Sequence, residues 1–205
     1  MFHPDDHPLE RGWVGRIDGD RVVHLAAQTL QSYFLGGGGA REHAEYPVDR
    51  VSFCAPVLHP PAVRLFEDAD RFDFANPAAI LSPGAEANPP KAADGVQALV
   101  RPAAIVGVEG TIGGYTILGE LRALGVEPPK DRDFALFLGP TVETEPILDG
   151  TVGFDWGRAL ALAAENTHLR AGDLLAAPPV QRTELPGGPF ELAVDGLDPL
   201  AGRLS

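Results

Sequence analysis

Leu99–Gly107 reads LVRPAAIVG, Gly113–Ala123 reads GGYTILGELRA, and Lys130–Thr144 reads KDRDFALFLGPTVET. The first run is apolar and partly β-branched, the composition of a strand buried on one or both faces. Side chains two apart on a strand share a face, so Leu99, Arg101 and Ala103 point the same way. Pro102 has no N–H to give to a ladder, which favours an edge or a bulge at that point. Gly113–Gly114 reads as a turn into a second apolar run, Tyr115–Leu118, with Glu120 at its end.

These three runs together resemble the fumarylacetoacetate hydrolase (FAH) family. Ala103–Gly107 is similar to the close of its E-x-E-L-A-x-x-I-G strand. Gly114–Tyr115–Thr116 is similar to its G-Y-T-x-x-N-D, and Lys130, Asp133, Leu138, Gly139 and Pro140 to its K-x-x-D-x-x-x-x-L-G-P. Asn76–Ile80 with Pro83–Gly84, Asn166–Asp173, and Leu185–Gly187 with Gly196–Leu197 continue the likeness in order, so that it covers most of residues 56–205. The resemblance implies a β-rich α+β chain: an FAH-like β-roll over 57–205 behind a small subdomain over 1–56. It also implies a homodimer.

The resemblance further implies one magnesium or manganese ion held by four carboxylates, the all-oxygen coordination that such hard ions prefer. The four matching positions here are Leu65, Leu99, Arg101 and Glu120, so only the last offers an acid. The family's lid shrinks to Glu67–Phe74 and lacks its histidine, and the T-G-T-like stretch reads Ala176–Ala177–Pro178. If Arg101 points inward, it is a fixed cation where relatives hold an ion, and Glu120 is its natural partner.

With those departures no cofactor is expected. The expected protein is a divergent family member without the usual C–C hydrolase, isomerase or decarboxylase activity: a scaffold, a partner subunit or a ligand sensor. Two alternatives keep catalysis. In one, Arg101 and Lys130 hold the oxyanion of a 1,3-dicarbonyl or 2-keto acid without metal, and Glu120 or Glu109 moves protons. In the other, magnesium or manganese binds a different set, Glu67, Asp68, Glu109 and Glu120. A small carboxylate is the ligand class in either case.

The rest of the chain narrows the field. A net charge of −13 argues against nucleic acid and anionic membranes, which call for basic patches. Twenty prolines and 24 glycines imply many turns and short strands. The single cysteine, Cys54, excludes an internal disulfide and reads as a buried thiol. No signal peptide is visible and no apolar stretch is long enough for a bilayer, so the cytoplasm is the expected location.

Trp13–Ile17, Asp18–Gly19–Asp20 and Arg21–His24 read as a hairpin, followed by a helix over Leu25–Phe34 and a loop at Gly36–Gly39. Ala85–Gly95 reads as a loop or a hairpin tip. Thr151–Phe154 reads as a strand and Asp155 as the cap of a helix. Leu174–Ala176 reads as a strand after the Gly172–Asp173 turn, and Phe190–Val194 and Leu200–Leu204 read as strands that close the sheet. The histidines fit no zinc motif on a helix, and His168 reads as a surface residue.

Overall fold

The computed structural model describes residues 1–145 and 153–205. Before residue 57 lie β1 (Phe2–Pro4), β2 (Gly15–Asp18), β3 (Arg21–Leu25), α1 (Leu30–Leu35), β4 (Glu42–Pro47) and β5 (Val51–Phe53). Then come β6 (Val63–Asp68), β7 (Arg71–Ala75), β8 (Ile80–Leu81), β9 (Glu86–Ala87), β10 (Gly95–Val106), β11 (Ile112–Leu124) and β12 (Leu136–Leu138). The chain ends with α2 (Trp156–Ala164), β13 (Leu174–Ala176), β14 (Gln181–Leu185), β15 (Gly188–Leu192) and β16 (Leu200–Leu204).

The largest sheet runs β7-β6-β13-β10-β11-β12-β8, with β14 also pairing β10. The long antiparallel hairpin β10–β11 is its axis. Both faces of β10 are covered, which is why the strand is apolar along nearly its whole length. Val96, Ala98 and Val100 pack with Phe137, Leu192 and Leu200. Ala103 and Ile105 pack with Leu65, Leu118, Leu136 and Leu138 on the other side. At the far end Ala104 and Val106 meet Phe66, Leu175 and the α2 residues Ala159 and Ala163.

The N-terminal hairpin β2–β3 forms as its turn chemistry predicts, with Gly19 at φ 60°. The helix after it is shorter than expected. Leu25 ends β3, and α1 starts only at Leu30, behind a reciprocal cap in which Thr29 and Ser32 each accept the other's backbone N–H. Phe34 of α1 reaches the roll and packs beside Ala55 and Val57. At the other end of the chain, α2 begins where Asp155 accepts from the Arg158 N–H. The strand expected over Thr151–Phe154 lies partly outside the described residues, and Gly153 and Phe154 are irregular.

Several expectations are corrected by the packing. Pro102 is not at an edge. Its strand is paired on both sides, and Pro102 sits where one neighbour ends at Ala176 and the next begins at Gln181. Its carbonyl accepts from the Ala177 N–H, so its missing donor faces that seam, where no strand requires one. Gly113 and Gly114 lie inside β11 rather than in a turn. A Cβ on Gly113 would meet the Phe34 ring at 2.8 Å, and one on Gly114 would meet the Glu143 carbonyl oxygen at 2.8 Å. The turn itself is Val108–Gly110, with Glu109 at φ 52° and Gly110 at φ 74°.

Glu67–Phe74, where the shortened lid is expected, spans the β6–β7 hairpin and is part of the sheet. Ala85–Gly95 contains the short strand β9. With β15 and β16 it makes a separate three-stranded sheet, so Phe190–Val194 and Leu200–Leu204 do not close the main one.

Candidate functional site

On the inner face of β10–β11, Arg101 lies opposite Leu118, and Glu120 lies opposite Leu99. The two charged residues are therefore diagonal neighbours, a separation that long side chains span. Both are fully buried, at 0% exposure. Arg101 Nε donates to Glu120 Oε2 at 2.8 Å. Its Nη1 donates to the carbonyls of Phe66 at 2.9 Å and Ala177 at 3.0 Å. Glu120 Oε1 accepts from Arg122 Nε at 2.7 Å. One carboxylate thus bridges two guanidinium groups, and three backbone or side-chain acceptors surround Arg101.

Burial pushes the Arg101 guanidinium below its ordinary pKa, and Glu120, then Glu67, pulls it back. It stays charged, because arginine does not lose its proton in proteins. One atom is left over. Arg101 Nη2 is buried with no hydrogen-bond partner among the described residues, and the partly exposed Glu67 brings Oε1 only to 3.7 Å.

The other positions behave differently. Leu65 and Leu99 are buried at 2% and 0% exposure. Lys130 lies in a turn with its side chain 73% exposed, paired with Asp133 at 2.8 Å. The structure therefore brings Arg101 and Glu120 together and leaves Lys130 on the surface, away from their buried contact. Glu109 stands in the β10–β11 turn, at the opposite end of the hairpin from Glu120. Among the described residues no three His, Cys, Asp or Glu side chains gather as a metal cluster.

A divalent ion does not fit the four positions as they stand. Two leucines offer no donor and Arg101 brings a like charge. Both oxygens of Glu120 already accept from arginine. Hard ions call for several free oxygens.

The chain superposes on solved enzymes over most of its length. 5-Carboxymethyl-2-hydroxymuconate delta-isomerase from Mycobacterium smegmatis matches with a TM-score of 0.77 and 18% identity, over 99% of this chain and 97% of that one. Maleylpyruvate hydrolase from Sphingobium sp. SYK-6 matches at 0.75 and 17%, over 95% and 96%. The chain has the fumarylacetoacetate hydrolase fold. A second structure of the Sphingobium enzyme contains manganese(II) and pyruvate. 2-Hydroxyhepta-2,4-diene-1,7-dioate isomerase from Mycobacterium marinum matches this FAH-like chain at 0.70 and 16%, over 94% and 92%. No family model and no curated protein matches the sequence. At such identities the likeness speaks for the fold, and function must be argued from the site.

Sequence reasoning missed Arg122 as the second arginine on Glu120. The signal was present: Arg122 is two residues beyond Glu120 on one strand and so on the same face. It also missed the carbonyls of Phe66 and Ala177, whose approach depends on how β6 and β13 are placed beside β10. Among the described residues no helix is long and apolar enough to cross a membrane.

Proposed function

We propose that this chain is a family member in which a fixed guanidinium has replaced the divalent ion, leaving a protein without metal-dependent C–C bond chemistry. Its role is then that of a scaffold, a partner subunit or a ligand sensor. The observation that supports this reading is Arg101, fully buried and bonded to Glu120 at 2.8 Å. An ionised side chain is tolerated in such a place only when paired, and removing either member strands the other. A divalent ion and Arg101 would repel each other there and compete for the same carboxylate. The apolar volume of Leu65 and Leu99 adds to this, since the substrate's charged oxygens would meet methyl groups. A homodimer belongs to the same reading through the family resemblance, and light scattering checks it.

Calorimetric titration with magnesium, together with an assay on oxaloacetate and an acylpyruvate, tests the reading. The expected result is no single-site magnesium binding and no turnover above background. Stoichiometric magnesium binding with turnover would sink it and restore an ordinary metal-dependent enzyme.

A second reading is a metal-free enzyme, and one observation favours it. Arg101 Nη2, without a partner among the described residues, would donate to a substrate oxygen if Glu67 swung away. Turnover that persists in excess chelator and disappears in Glu67→Lys would select this reading over the first.

A further inference from the structure

Away from the roll, the N-terminal hairpin holds an arrangement that neither the fold likeness nor the Arg101 network uses. The β3–β4 ladder pairs Val23 with Glu45 and Leu25 with Glu42. Two residues of β4, His43 and Ala44, therefore stand opposite the single residue His24. That is a bulge, a device that re-aims a side chain. It brings the imidazoles of His24 and His43 to a centroid separation of 5.2 Å, with their planes 33° apart. Trp13 also stacks on the His24 ring, at 4.6 Å and 14°. Both histidines open onto one cleft of about 670 Å³, with Glu10, Arg11 and Gln28 on its walls.

We propose that His24 and His43 form a site for a late first-row divalent ion, of the zinc or copper class, with water filling the remaining positions from the cleft. Metal–imidazole bonds of about 2.0–2.1 Å place two ring centres about 5 Å apart on a tetrahedral ion, which is the separation found. Imidazole suits these ions and binds them as the neutral base. The stacked Trp13 fixes the ring in advance, so less freedom is lost on binding. The nearest acids on β4 are engaged elsewhere: Glu42 with Arg16 and Glu45 with Arg21, at 2.8 and 2.7 Å. Glu10 and Arg11 are the charged groups that share the cleft. This site is independent of the reading of the roll, because it shares no residue with it.

The test is titration of the tag-free chain with zinc chloride by calorimetry at pH 7.5, and with copper(II) by tryptophan fluorescence. The wild type is expected to take one zinc ion, and copper is expected to quench Trp13 through the stacked His24. Loss of a ligand should cost at least what loss of an outer-shell partner costs, about tenfold to a hundredfold in affinity. His43→Ala, an exposed position, should show that weakening, and His168→Ala should not. Should His24→Asn fold poorly, His43→Ala alone carries the result, with its thermal midpoint as the control for folding. No zinc binding by the wild type, or equal affinity in wild type and His43→Ala, would overturn the proposal.

Discussion

Among the described residues the roll contains two arginine–carboxylate pairs with both partners buried, and they are built differently. Arg101 meets Glu120 at 2.8 Å, lies on the inner face of the longest hairpin, and adds two backbone carbonyls as acceptors. Arg64 meets Asp173 at 3.3 Å near the edge of the same sheet. Its Nε and the Oδ1 of Asp173 are buried without partners among the described residues. Its guanidinium instead lies over the rings of Phe72 and Phe74, 5.7 and 5.4 Å from their centres. Phe74 itself is 66% exposed. The first pair is a polar network of three acceptors around one guanidinium, with Nη2 alone left over, inside an apolar shell. The second is a looser contact supported by cation–π attraction at the margin of solvent. Burial alone therefore does not rank the two; the number of acceptors around each guanidinium does.

Breaking each pair tests that ranking. Arg101→Met should cost about 3–5 kcal/mol, measured by urea unfolding, because it strips a buried carboxylate of one of its two partners and two carbonyls of their donor. Arg64→Met should cost less, about 1–3 kcal/mol, since Asp173 keeps the Arg170 N–H at 3.1 Å. Equal losses in the two variants would remove the distinction.

The half-buried His24 supplies a smaller effect with a definite sign. The pKa of His24 is lowered from its ordinary 6.5 by burial first and by His43 second. The unfolded chain then takes up the proton before the folded one does. The stabilising contribution is complete above pH 6.5 and is lost as the pH falls through the folded value. Thermal midpoints between pH 7.5 and 5 should decline less steeply in His24→Asn than in the wild type. Smallest of all, Lys130→Ala should change stability by no more than about 0.5 kcal/mol, because the lysine side of its ion pair stands in solvent. A larger loss there would mean that Lys130 does more than its exposed turn suggests.

Much of this was legible in the amino acids themselves. The β10 run, the Asp18–Gly19 turn, the Asp155 cap and the order of family-like pieces depend on neighbours close in sequence. The Arg101–Glu120 partnership was legible too, from strand alternation and from the rule that buried charges come paired. What failed depends on packing between distant segments. Gly113 looks like turn chemistry until Phe34 is found against it. Pro102 looks like an edge signal until the seam between β13 and β14 is seen beside it. His24 and His43 share no local motif, because only the bulge in the β3–β4 ladder puts them together.

The seam at Pro102 also polices alignment. Suppose β10 slipped by two residues along its neighbours. The proline would then face a carbonyl that demands a donor, and a strand N–H would be wasted on the gap. Arg101 would at the same time lose the Ala177 carbonyl and carry its charge into hydrocarbon. A residue with nothing to donate thus acts as a checksum on the pairing of the longest hairpin, rejecting misthreaded chains that the apolar side chains alone would accept.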